Sequence, residues 1–248
     1  MRYAVVIPAR YQSSRFPGKP LVDLNGTPMI QRVWERCCIA VGKERVYIAT
    51  ENKLIYDFCK GFTDNVLMTS DNCKTGTDRV YEACQQIDDI DFVVNVQGDE
   101  PLISPKEIAT IVDEYIENPG KIINGMARIT SDEEYRSLTI PKVVFRSDGR
   151  LLYMSRAAIP GNKTGDFVRG WKQICIYAFP VDVLTAFVSV KDKSLFENEE
   201  DIEILRFLEL GYDVKMKEVL GKSVAVDTEA DADKVRALLE FNPQFNLE

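Results

Sequence analysis

Short apolar runs alternate with helical stretches through the first half of the chain, and this alternation limits the possible folds more than any other feature. Residues 3–7 (YAVVI) are a compact apolar run closed by Pro8, and 45–49, 65–68 and 92–96 repeat the pattern. Between these runs, residues 28–40, 53–59 and 78–86 read as helices, with Met29, Val33 and Trp34 on one stripe of the first. A fourth helix spans 104–117, with Ser104 and Pro105 as its start signal. Thr27 is the expected cap of the first helix, with Pro28 in its opening turn. Strands joined by helical crossovers lie parallel in a sheet covered on both faces, so the fold class is α/β with a doubly wound, mostly parallel sheet. Ligands of such sheets bind beyond the carboxyl ends of the strands, which puts the loops after Ile7 and Val96 beside one crevice.

The second half is less regular. Residues 142–146 and 173–179 look like strands, separated by a polar stretch containing Gly161, Gly165 and Gly170. That stretch reads as an excursion from the sheet, a hairpin arm that meets another subunit. A helix over 201–210 ends at Gly211, a strand covers 213–219, and a final helix over 228–241 starts at Thr228 as its cap. No repeat, low-complexity tract or Gly/Ser linker interrupts the chain, so 1–248 is read as one domain whose excursion covers about 130–180.

Composition removes several kinds of chemistry. The chain holds 31 Lys and Arg against 39 Asp and Glu, a formal net charge of −8, and no histidine. Imidazole bases, Ser-His-Asp triads and His-ligated zinc are therefore excluded. The acidic balance argues against a nucleic-acid partner, which would need a basic face. Six cysteines are present, two of them adjacent (Cys37 and Cys38) and none at CxxC spacing, so they are expected to be reduced thiols in a cytosol. The N-terminal apolar run is too short for a signal peptide or a membrane span, and the expectation is a soluble, cytoplasmic protein without membrane insertion.

In an acidic chain, cations gathered on one loop need an anion. The segment Pro8-Ala9-Arg10-Tyr11-Gln12-Ser13-Ser14-Arg15-Phe16-Pro17-Gly18-Lys19 follows the first strand directly, and it collects Arg10, Arg15 and Lys19 among the small residues Ala9, Ser13, Ser14 and Gly18. Guanidinium and ammonium groups at a sheet crevice, with backbone N–H groups near small residues, suit a triphosphate. Neither GxxxxGK[ST] nor GxGxxG is present, which sets this loop apart from P-loop and dinucleotide motifs. The second segment, Val94-Asn95-Val96-Gln97-Gly98-Asp99-Glu100-Pro101, places Asp99 just beyond a buried strand, where a carboxylate can hold a hard cation such as Mg²⁺. Asp227, after the apolar run 224–226, is a further acidic candidate, although a helix N-cap region is its ordinary use. Thr75-Gly76-Thr77-Asp78-Arg79 is a small-residue turn into a helix, suited to a base or ribose, and Tyr153-Met154-Ser155-Arg156 with Lys142 adds positive charge for an acidic substrate.

The order IPARYQSSRFPGKPL, TGTDR, NVQGDEP, PKVV, YMSR, IEILRFLELGY and AVDT, running almost end to end, resembles the cytidylyltransferases that activate 3-deoxy-manno-octulosonate (Kdo) as CMP-Kdo. The resemblance implies a nucleotide-diphospho-sugar transferase-like fold, a homodimer and a Mg²⁺-dependent reaction between CTP and a 3-deoxy-2-keto sugar acid. It implies that Arg10, Arg15 and Lys19 clamp the triphosphate and that Ala9, Ser13, Ser14, Thr75, Thr77, Arg79 and Gln97 lie by the nucleotide. Asp99 and Asp227 match the metal-binding aspartates, so Lys19, Arg10, Asp99 and Asp227 are the expected catalytic group. Gln97, Lys142, Ser155, Arg156, Gln173, Tyr177, Glu203, Ile204 and Arg206 match positions on the sugar side.

Gln173 stands where the family typically has histidine, Ile204 where it has glutamine, and Asn72-Cys73-Lys74-Thr75 replaces its usual His-x-Ser. The nucleotide half thus keeps the family pattern, while the sugar half departs from it. The acceptor is then Kdo or a relative, an amino-Kdo or a nonulosonate. A non-catalytic nucleotide-binding homologue is disfavoured by the retained aspartates and Lys19, and a sugar-1-phosphate nucleotidyltransferase by the wording of the first and third motifs.

Overall fold

The computed structural model describes residues 1–13 and 15–242, so Ser14 lies outside the described residues. The described chain forms two compact units, one of Met1–Ala109 together with 222–242, the other of Thr110–Gly221.

The first unit begins with β1 (Tyr3–Ala9) and a small antiparallel pair, β2 (Asp23–Leu24) and β3 (Thr27–Pro28). It continues through α1 (Met29–Val41), β4 (Val46–Thr50), α2 (Lys53–Cys59), β5 (Val66–Met68), α3 (Gly76–Cys84) and β6 (Phe92–Val96), and α4 (Pro105–Glu117) leads out of it. The strands run parallel in the order β6-β1-β4-β5. Val5, Val6 and Ile7 of β1 and Val93 and Val94 of β6 are fully buried, as the unbroken apolar runs require of strands covered on both faces. Each strand and helix expected here is present. One capping detail differs: Thr27 pairs with Leu24 in the β2–β3 ladder, so its backbone is extended and α1 starts after Pro28 without a side-chain cap. Asn52 caps α2, and Thr75 with Asp78 forms a capping box on α3, which therefore begins at Gly76.

The second unit contains β7 (Ile122–Arg128), α5 (Asp132–Arg136), β8 (Lys142–Phe145), β9 (Leu151–Ser155), β10 (Trp171–Pro180), α6 (Val181–Ser189), α7 (Leu195–Glu200), α8 (Ile204–Glu209) and β11 (Val214–Glu218). β11 lies parallel to β7, β7 antiparallel to β10, and β8 pairs antiparallel with both β10 and β9. β7 has no counterpart among the expected strands. Its Asn124-Gly125 pair has turn composition, yet six of its seven residues are buried. β9 also has no counterpart among the expected strands: it pairs with β8 in a hairpin of the sheet closed by a turn at Gly149, while the stretch with Gly161, Gly165 and Gly170, expected to form the arm, contains no strand. The helix expected over 201–210 starts only at Ile204, because Asp201 adopts a left-handed conformation (φ 52°) that ends α7 instead.

After Gly221 the chain returns to the first unit and ends its described part in α9 (Glu229–Phe241), capped by Thr228 with Asp231 as anticipated. Leu24, Met29, Leu102, Val226, Ala232, Val235 and Leu239 pack together there, anchoring α9 and the segment before it against the β2–β3–α1 corner.

Candidate active site

The strand order of the first unit reverses at β1: the chain winds outward through β4 and β5, then returns to place β6 on the other side. The loops leaving β1 and β6 diverge at such a point and leave a crevice between them. Gly98 is what lets these loops close on each other. A Cβ at that position would sit 2.8 Å from the Pro8 carbonyl oxygen, so no side chain fits. The start of α3 joins the same corner, since a Cβ on Gly76 would lie 3.5 Å from the Gln97 amide and 3.8 Å from Pro8.

Three separated segments meet at one ammonium group. Lys19 Nζ donates to Asp99 Oδ2 at 2.7 Å, to Asp227 Oδ1 at 3.1 Å and to the Val226 carbonyl at 3.0 Å. Asp227 is brought there by the backbone, because Val226 N donates to the Asp99 carbonyl at 2.9 Å and Val226 is fully buried. Arg15 reaches the same Asp227 oxygen at 3.0 Å. The loop bearing these cations is closed by Gly18 N donating to the Tyr11 carbonyl at 2.8 Å. Burial alone would lower the Lys19 pKa, but the attraction and hydrogen bonds of Asp99, then Asp227, outweigh it and hold the ammonium above its ordinary value.

The two aspartates are suited to a hard dication. Both are part-exposed oxygen donors turned toward one positive centre, and two carboxylates is the number that Mg²⁺ takes when phosphate oxygens and water complete its shell. Among the described residues no cluster of three or more His, Cys, Asp or Glu side chains forms a closed metal cage.

The remaining residues expected beside the nucleotide fall into two groups. Arg10 is exposed just past β1, Ala9 is buried at its end, and Ser13 Oγ accepts from Phe16 N at 3.3 Å. Gln97 Nε2 donates to Asn95 Oδ1 at 3.2 Å, and Thr75 is spent on capping α3, whose next residue but one, Thr77, is buried. Arg79 is interior, 1% exposed, paired with Glu51 at 2.9 Å and donating to the Thr69 hydroxyl. Glu51 also accepts from Tyr11 N at 3.0 Å, so it ties the cationic loop to α3. The sequence reading passes over Glu51, yet it follows a buried strand as Asp99 does, and the same rule would have found it. Cys73 donates to Glu82, and burial followed by that carboxylate pushes its thiol up to about 12, so it is no thiolate nucleophile. All six cysteines are free.

The residues expected on the sugar side all lie in the second unit, apart from Gln97, and most are bound into its framework. Lys142 is fully buried and donates to the carbonyls of Ser137, Ile140 and Arg156 at 2.6, 2.7 and 2.5 Å. Burial first, then the neighbouring Arg156 charge, pushes its pKa below the ordinary value. Ser155 Oγ donates to Glu200 Oε1 at 2.6 Å, while Arg156 donates through N to Glu200 Oε2 at 2.8 Å and through Nε to the Glu200 carbonyl at 2.6 Å. Glu200 thus organises this corner, though no sequence motif singles it out.

Two expectations meet an interior position. Ile204 is 1% exposed in the core, and Arg206 forms a buried two-point pair with Glu197 at 2.5 and 2.6 Å, its guanidinium 3.8 Å from the Phe187 ring centroid. Glu203 stands at the N-cap position of α8 without a side-chain cap bond, and the Tyr177 ring stacks on Phe179. Gln173 is part-exposed and donates to Asn124 Oδ1 at 3.1 Å and to the Tyr177 hydroxyl at 3.3 Å.

Comparison with known proteins extends this picture. The cytidylyltransferase family profile matches residues 4–218. A 3-deoxy-manno-octulosonate cytidylyltransferase of Parabacteroides distasonis is 38% identical over 250 residues, covering 96% of this chain and 98% of that protein. An 8-amino-3,8-dideoxy-manno-octulosonate cytidylyltransferase of Shewanella piezotolerans is 40% identical over 237 residues, covering 93% and 96%. The solved structure of CMP:2-keto-3-deoxy-manno-octonic acid synthetase complexed with CTP is similar with a TM-score of 0.91 and 34% identity, over 97% of this chain and 99% of that one.

Proposed function

The chain belongs to the cytidylyltransferase family, and from that premise we propose that it transfers CMP from CTP to Kdo or a close relative, releasing pyrophosphate. The observation that carries this reading is the meeting of Lys19, Asp99 and Asp227 at the β1–β6 crevice, where a triphosphate and a dication both find their counter-charges.

The chemistry asks the protein for positioning and charge, with no covalent intermediate. Arg10, Arg15 and Lys19 neutralise the phosphates and the charge that builds on the departing pyrophosphate. The anomeric hydroxyl of the sugar acid attacks the α-phosphorus and the bond to the β-phosphate breaks. Asp99 and Asp227 would hold Mg²⁺, which when bound polarises the α-phosphate and lowers the pKa of the attacking hydroxyl. With CTP present, Lys19 exchanges its aspartate contacts for phosphate oxygens and leaves both carboxylates to the dication. The lack of histidine is then no obstacle, since no imidazole step is required.

The part-exposed Gln173 contributes to the sugar-acid side, while Lys142, Ser155, Arg156 and Arg206 shape it from within. We also assign to this chain a homodimer through the excursion at about 130–180, a place in the cytoplasm and a role in supplying lipopolysaccharide or capsule assembly. No helix among the described residues is long and apolar enough to cross a membrane. The attack is tested with sugar acid carrying ¹⁸O at the anomeric hydroxyl. An isotope-shifted phosphorus resonance in the CMP ester is expected, and an unshifted one would exclude attack by that oxygen.

A further inference from the structure

In β10 the pairing with β7 is interrupted: Ile174 faces Gly125 and Tyr177 faces Asn124, so Cys175 and Ile176 bulge out of register. Asn124 is fully buried at this bulge. Its Nδ2 donates to the Ile174 and Ile176 carbonyls, both at 3.0 Å. The adjacent Gly125 makes room, because a Cβ there would lie 2.8 Å from Ile176 Cγ2. Carbonyl oxygens only accept, so the Asn124 amide can face them in one orientation. Its oxygen must then point at Gln173, which must answer with its own NH₂ group, as the 3.1 Å contact shows. Gln173 Nε2 also reaches the Tyr177 hydroxyl at 3.3 Å, which occupies its second hydrogen. The Gln173 carboxamide oxygen has no partner among the described residues, and the side chain is part-exposed.

We propose that Asn124 is a positioning residue that fixes the polarity of Gln173, so that its carboxamide oxygen is presented to a hydrogen-bond donor, a hydroxyl or ammonium group, on the sugar acid. The proposal rests on the cytidylyl-transfer reading above. It goes further in specifying the acceptor: the bound group must donate at this point. A substrate lacking a donor there leaves the Gln173 oxygen desolvated without a partner, the costly case for discrimination.

The test is steady-state pyrophosphate release by the full chain, with KM for CTP and for the sugar acid measured separately. Asn124→Ala should raise the sugar-acid KM roughly tenfold, the loss expected for one misdirected hydrogen bond, with the CTP KM little changed. Gln173→Met leaves the bulge and its Asn124 contacts in place and should give the same sugar-acid effect even if Asn124→Ala folds poorly. In the double variant the two effects should not add, because one residue acts through the other. A panel of sugar acids with one hydroxyl at a time replaced by hydrogen then identifies the donor, as the member for which wild type and Gln173→Met share one KM. Unchanged sugar-acid KM in Gln173→Met, additive effects in the double variant, or equal rises in both KM values would overturn the proposal while leaving cytidylyl transfer intact. A wild-type chain that releases no pyrophosphate with any sugar acid would overturn the underlying reading and this proposal with it.

Discussion

The two units use lysine in opposite ways. In the first, Lys19 joins two carboxylates, and its charge is favoured beyond the ordinary lysine value despite burial. In the second, Lys142 is enclosed by three backbone carbonyls with no carboxylate in contact, and its charge is disfavoured. A paired ammonium whose partners are part-exposed can give them up to an incoming polyanion and a metal. An ammonium caged by carbonyls fastens the ends of β8 and β9 and the loop before them, and has nothing to exchange. The contrast extends to the arginines. Arg15 holds Asp227 from an exposed position, whereas Arg206 is sealed against Glu197 and Phe187. Charge around Lys19 is arranged to be traded for ligand, whereas charge around Lys142 and Arg206, like the sealed Arg79–Glu51 pair of the first unit, is arranged to hold shape.

The strongest way to break this comparison is to remove a tradeable carboxylate. Asp99→Asn should lower turnover by about three orders of magnitude, on the scale of losing a key electrostatic group, while cooperative thermal unfolding is retained. Near-normal turnover would remove Asp99 from the metal site. Next in size is the sealed pair of the second unit. Arg206→Met leaves Glu197 buried and uncompensated, and denaturant unfolding should show a loss of about 3–5 kcal/mol. Adding Glu197→Met should recover most of it, and failure to do so would mean that the pair also does work beyond balancing charge.

Smaller effects sharpen the picture. Thr228→Ala removes the cap of α9, one residue past Asp227, and should cost about 1 kcal/mol of stability. Turnover should fall only slightly, because Asp227 is held through Val226 and the Asp99 carbonyl. A large fall would show that α9 itself sets the metal site.

The least conspicuous effect expected is a pair of opposed pH dependences, read by denaturant unfolding of each lysine variant against wild type. The advantage of wild type over Lys19→Met is fully present below the ordinary lysine value of 10.5 and is lost as pH rises through the higher folded value. For Lys142 the sign reverses: wild type is at its greatest disadvantage to Lys142→Met below the lowered folded value, and gains on it as pH rises toward 10.5. Parallel trends for both lysines would erase the distinction.

The first unit was largely legible because its physics is local. Continuous apolar runs require strands buried on both faces, and cations on a loop in an acidic chain require an anion. Even there, Thr27 was drawn into a two-residue ladder that only the β2–β3 pairing reveals. The second unit resisted for the opposite reason. β7 hides behind an Asn-Gly pair whose turn chemistry is overridden by pairing with β10 and β11, and the left-handed turn at Asp201 divides what periodicity presents as one helix. Its charged residues look alike in sequence whether sealed or open. Arg206 and Lys142 are interior because of Glu197 and a ring of carbonyls, and no motif announces either partner. Family resemblance pointed to the sugar-side positions, but their polarity becomes readable only at the Asn124 bulge.

Transfer of CMP to a sugar acid is the role proposed for the charges gathered around Lys19. It is tested most directly by pyrophosphate release from CTP and Mg²⁺ with a panel of 3-deoxy-2-keto sugar acids that includes Kdo and its 8-amino analogue. Release that requires both CTP and one of these acids, and that disappears in Asp99→Asn, is the predicted result. CTP binding without release across the whole panel would contradict it.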